Sequence, residues 1–101
     1  MMSKATNEPR AAVIVVGGNG GLSNRYRDIA EERGLELRHF EQRVPNGTRR
    51  IAGRVAAVVI MVGMVSHALR DQAKALVGDD APIVYLRSAS PSALRGALAA
   101  L

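Results

Sequence analysis

The sequence contains no cysteine and no tryptophan, and its aromatic residues are two tyrosines and one phenylalanine. The absence of cysteine excludes disulfides, thiolate-bound clusters and zinc sites of the cysteine type, so a metal would have to be held by His, carboxylate, Tyr or Met. The scarcity of aromatics removes the platform on which exposed bases stack. That matters because the formal net charge is +5 and the isoelectric point is near 10.7, a balance that points to an anionic partner. Arg25, Arg27, Arg33, Arg49, Arg50, Arg54, Arg70 and Arg95 are scattered along the chain. Nucleic acid is therefore not expected, and a small acidic ligand carrying carboxylates or phosphates fits the charge. Long apolar runs are missing too. The longest, Val55 to Val65 with Gly63 inside it, is too short to span a bilayer, and no apolar signal core opens the chain. No membrane partner is expected, and the default location is cytoplasmic.

What is present is a regular alternation. The apolar runs AVIVVGG, ELRHF, AAVVIMVGM and PIVYLRS are each followed by a stretch with helical spacing. Met1 to Arg10 are polar and unpatterned and read as a disordered lead-in, which leaves residues 11–101 as one domain. Ala11 to Val16 and Ala56 to Val62 are apolar on both faces, as central parallel strands covered by helices require. Leu35 to Glu41 alternates, with Leu35, Leu37 and His39 on one side, which suits an edge strand. Ile83 to Leu86 supplies a fourth. Leu22, Tyr26, Ile29, Ala30 and Arg33 predict a helix stopped by Gly34. Thr48 caps a weaker helix containing Ile51 and Val55, Ser66 opens another with His67 in its first turn, and Ser90-Pro91 starts the last. The pattern predicts a single doubly wound (Rossmann- or flavodoxin-like) α/β domain with a four-stranded parallel sheet in the order 2-1-3-4. So small a domain with open sheet edges is expected to gain burial by forming a homodimer.

In such sheets ligands sit outside the carboxyl ends of the strands. The crevice would be lined by Gly17 to Gly21, Met64 to His67 and Arg87 to Ser90. Gly18 and its neighbours could offer backbone N–H groups to an anion, although the spacing is not the usual G-x-G-x-x-G, no lysine follows, and Glu41 is the only acid near the end of the second strand. The plain alternative is a tight turn. Both histidines fall near this edge, His39 on the second strand and His67 at a helix start. A first-turn position sets the His67 ring at the positive end of the helix dipole, which suits the neutral, metal-binding imidazole. The alternatives are a half-exposed strand residue for His39 and a capping role for His67. Ser88 and Ser90 beside Arg87 could bind an anionic group or simply cap the last helix. Met61 and Met64 read first as packing residues. No Ser-His-acid set, carboxylate pair or metal-ligand spacing can be traced, so hydrolytic chemistry is not expected.

The stretches VIVVGGNGGLSNRYRDIAEERGLELRHFE, VSHALRDQAKAL and PIVYLRSASPSALRGAL resemble a small bacterial family, domain of unknown function 2325, over nearly the whole chain from Ala12. Tyr26, His39, His67 and Arg87 stand at the family's R-Y-R, second-strand histidine, V-S-H and L-R-S places. Gly63 and Met64 precede V-S-H where relatives often carry cysteine or aspartate, and Ala68 follows where they carry an acid. The resemblance implies a Rossmann-like domain and, through some relatives, b-type haem that reacts with dioxygen. On that expectation His67 or His39 is the axial ligand and Arg87 or Arg25 holds the propionates. Tyr26, Gly18, Ser88 and the aliphatic Met64, Val65 and Leu22 would complete a pocket closed across a dimer. The competing expectation is a binding module for a nucleotide or other small phosphorylated ligand at the glycine turn. A third is an interaction domain without chemistry, not a phosphoacceptor, because the first strand lacks an acidic pair and the third ends in Met61-Val62-Gly63 rather than aspartate.

Overall fold

The computed structural model describes residues 11–41, 55–63, 65–75, 77 and 81–101. The lead-in at 1–10, most of the weak helix expected from Thr48, and Met64 lie outside the described residues. Strand β1 (Ala12–Gly17) is buried along its whole length, as its apolar character on both faces demands. A single 3₁₀ turn, Gly20–Leu22, leads into helix α1 (Ser23–Glu32). Gly34 N–H and Leu35 N–H then bond back to the carbonyls of Glu31 and Ala30 and close that helix. Strand β2 (Glu36–Phe40) follows, then β3 (Val55–Met61), α2 (His67–Ala75), β4 (Ile83–Leu86) and α3 (Pro91–Ala99). Val55, expected to close a short helix, instead begins β3. There its backbone can join the ladder, pairing with Ala12 of β1.

All three strand pairings are parallel and the order is β2-β1-β3-β4. Helices cover both faces. On one, α1 and α3 pack over Val13, Val15, Leu37, Ala57, Val59 and Met61 through Tyr26, Ile29, Ala30, Leu94 and Leu98. On the other, Leu69 and Ala73 of α2 close over Ile14, Val16, Val58 and Ile60. Alternation along each strand decides which core a residue joins. Because all four strands run the same way, their carboxyl ends, and the starts of α1, α2 and α3, gather at one edge. Among the described residues, no helix is long and apolar enough to cross a membrane.

Candidate functional site

The turn after β1 is built around two successive glycines with positive φ, Gly17 at 86° and Gly18 at 80°. Gly18 is also forced by space, since a Cβ there would lie 2.6 Å from Met61 Sδ and 3.1 Å from Tyr26 Oη. The turn then satisfies much of its own backbone. Asn19 Oδ1 accepts from Gly21 N–H at 2.8 Å and Asn19 C=O accepts from Leu22 N–H at 2.9 Å. A Cβ at Gly20 would run into the Glu41 carboxylate, so that acid, one residue beyond β2, lies against the glycine turn.

Tyr26, expected near a pocket, is fully buried in the core between α1 and the sheet. Its hydroxyl donates to Ala89 C=O at 2.6 Å and receives a long bond from Asn19 N–H at 3.4 Å. It thereby ties the β1–α1 turn to the β4–α3 connection. The ring meets His39 edge to face, with centroids 5.2 Å apart and planes at 84°.

His39 is half-buried on the α1/α3 face, two residues along from buried Leu37. Its Nε2 lies 2.7 Å from Gly17 C=O, and its Nδ1 lies 3.0 Å from Ser23 Oγ. A carbonyl oxygen only accepts, so Nε2 carries the proton. In the neutral ring Nδ1 then accepts from the Ser23 hydroxyl. Sequence reading overlooked this pair because Ser23 and His39 are sixteen residues apart. What unites them is the register that sets Val15 beside His39. The alternation of Leu37 and His39 was the available signal, since it turns the imidazole inward toward α1.

His67 is elsewhere. It opens α2 on the opposite face, is exposed, and accepts from Arg70 Nη2 at Nδ1, 2.7 Å away. Arg70 Nε is buried without a hydrogen-bond partner. The two histidines thus share the carboxyl edge but belong to different helical layers, and the described residues do not bring them into one site. The reason is topological: β2 hands His39 to the α1 layer, whereas the connection after β3 hands His67 to the α2 layer.

The remaining expected residues disperse in the same way. Arg87 and Ser88 are exposed on the β4–α3 connection. Ser88 Oγ accepts from Ser90 N–H at 3.2 Å, and Ser90 Oγ caps α3 by accepting from Ala93 N–H at 3.1 Å. Ser66 likewise accepts from Leu69 N–H at 3.0 Å. Arg25 lines an open groove of about 400 Å³ between α1 and α3, together with Asp28, Glu32, Pro91 and Arg95, and no histidine reaches it. Among the described residues there is no group of three or more His or carboxylate side chains able to hold a metal.

An axial haem ligand must offer a free imidazole lone pair. His39 has its Nε2–H on Gly17 and its Nδ1 lone pair on Ser23, and His67 has its Nδ1 lone pair on Arg70. In this arrangement neither ring fits the iron.

These features define a single α/β domain with an all-parallel sheet covered on both faces, in which Ser23, His39 and Glu41 lie with the glycine turn at the carboxyl edge of β1 and β2. The chain belongs to the family DUF2325, described as uncharacterized protein conserved in bacteria, whose model matches residues 12–101. No curated protein and no solved structure matches it.

Proposed function

We propose that the chain is a binding module for a nucleotide or a similar small phosphorylated ligand held at the carboxyl edge of β1 and β2. The observation that carries this reading is the Glu41 carboxylate lying against Gly20, beside a glycine turn that opens α1. A glycine turn leading into a helix start suits a phosphate, which here would have to take over N–H groups now bonded to Asn19. An acid just past the second strand suits the hydroxyls of a ribose, to which it can only accept hydrogen bonds. The formal net charge of +5 favours an anionic ligand at a distance. Self-association through the β4 edge accompanies this reading, for reasons taken up in the Discussion.

Thermal melting in a panel of nucleoside mono-, di- and triphosphates tests the proposal. A true ligand at a hundredfold excess over its Kd stabilises by about 2.7 kcal/mol, several degrees in a domain of this size. Glu41→Gln is expected to weaken ribonucleotide binding while leaving inorganic pyrophosphate binding in place. If no nucleotide moves the transition, the reading fails. The haem expectation has its own measurement in the absorption spectrum of protein mixed with ferrous haem. A Soret shift lost in His67→Ala would replace the nucleotide reading, and would require His67 to give up its bond from Arg70.

A further inference from the structure

We propose that Ser23 is an activated nucleophile and His39 its base, forming a site that accepts the acyl group of an activated ester. Ser23, Ser66 and Ser90, one at the start of each helix, differ in what their hydroxyls do. Ser66 and Ser90 accept from backbone N–H groups of their own helices, the ordinary capping role. Ser23 does not. The capping of its 3₁₀ turn is done by Asn19, the residue before it contributes no side-chain cap, and its Oγ is directed to an imidazole 3.0 Å away.

The imidazole is held in the form a base requires. Gly17 C=O, 2.7 Å from Nε2, keeps the proton on that nitrogen and leaves the Nδ1 lone pair facing the serine hydroxyl. Edge-on contact with buried Tyr26 fixes the ring plane. A nucleophile, a base within hydrogen-bond reach, and a third group orienting the base are the parts of covalent catalysis by serine. The first-residue position of Ser23 also places any negative charge formed there at the positive end of a ten-residue helix. Both side chains are half-buried, so the pair is sheltered yet not sealed.

The step balances with the groups present and a water. Ser23 Oγ forms a bond to the ester carbonyl carbon as its proton passes to His39 Nδ1. The bond from that carbon to the leaving oxygen breaks, and the leaving oxygen takes the proton from Nδ1. Water then adds to the acylated serine, giving a proton to Nδ1 that returns to Ser23 Oγ as the carboxylic acid departs. The Nε2–H stays on Gly17 throughout. Because the third group is a neutral carbonyl in place of a carboxylate, the imidazolium is supported less than in a full triad. The class of acyl donor this favours is one with a good leaving group, such as an aryl ester.

The test uses the intact chain with an alkyl fluorophosphonate and, separately, with p-nitrophenyl acetate, followed by peptide mass spectrometry. One adduct, on Ser23, is expected, absent in Ser23→Ala and retained in Ser90→Ala. His39→Gln is expected to slow its formation about a hundredfold or more, with thermal melting run in parallel to show the variant folded. No adduct on the folded wild-type protein, or labelling spread over several serines and unchanged by Ser23→Ala, overturns the proposal. It stands apart from the nucleotide reading, since the adduct is read without nucleotide and Glu41→Gln, which takes no part in the serine–histidine contact, is expected to leave it in place.

Discussion

On the α1/α3 face, Val13, Val15 and Leu37 meet a tyrosine and lie beside a serine–histidine pair; on the α2 face, among the described residues, Ile14, Val16, Val58 and Ile60 pack with Leu69, Ala73 and other apolar neighbours. The strands feeding the two faces are equally apolar, so burial alone stabilises both. The difference lies in direction. A hydrogen bond fixes distance and angle, whereas apolar contact is satisfied by many packings. The first face therefore holds two loops and an imidazole in set positions, and the second supplies area.

Deleting the centre of each face separates those roles most sharply. Tyr26→Ala is expected to cost about 3–5 kcal/mol and Leu69→Ala about 2–5 kcal/mol in urea denaturation. Only the first should also change the reactivity of Ser23, because it removes the ring beside His39. Equal disturbance by Leu69→Ala would erase the distinction between the faces. A smaller contrast comes from glycines. Both Gly18 and Gly63 have positive φ, at 80° and 89°, but a Cβ meets Met61 and Tyr26 at Gly18 and open space at Gly63. Gly63→Ala should cost about 1–2 kcal/mol of backbone strain, and Gly18→Ala about 1–3 kcal/mol more for the overlap, measured on the same denaturation curves.

The smallest effect concerns the unfinished part of the α2 face. Ile83 and Tyr85 register with Val58 and Ile60 and so share their face, yet they are 38% and 52% exposed on an edge strand. A second copy pairing antiparallel to β4 about Val84 would set Ile83 of each copy opposite Tyr85 of the other, an apolar cross-strand pair on one face. Tyr85→Lys is expected to alter monomer stability by less than about 0.5 kcal/mol while shifting the gel-filtration volume toward the monomer. An unchanged elution volume would remove this edge as the contact.

Strand order was legible in the residues because β1 and β3 are apolar on both faces, β2 alternates, and β4 is short. β4 falls at Ile83–Leu86 as expected from its apolar run, and α2 and α3 start where Ser66 and Ser90-Pro91 indicate. The other strand ends differ by a residue, as at Gly17, whose positive φ does not prevent it from pairing with Met61. The site was less legible. Glycine turns, caps and histidines announce themselves locally, but whether two histidines converge depends on which layer each connection enters. Conversely, Ser23 gave no local sign of chemistry, since a serine at a helix start is ordinarily a cap. Its partner was chosen by strand register, which a single sequence encodes only through alternation.

The acceptor of the Tyr26 hydroxyl lies 63 residues further along, at Ala89, and Arg95 reaches back over the same separation to Glu32. While the polypeptide is being synthesised, the polar face accordingly waits for the segment from Ala89 to Leu98, which follows the end of α2 at Ala75. A product interrupted before that segment would leave Tyr26 without its acceptor and Ile29 without Leu94 and Leu98 to close over it. Such a fragment would expose to solvent the very surface that, in the finished fold, holds the imidazole in place.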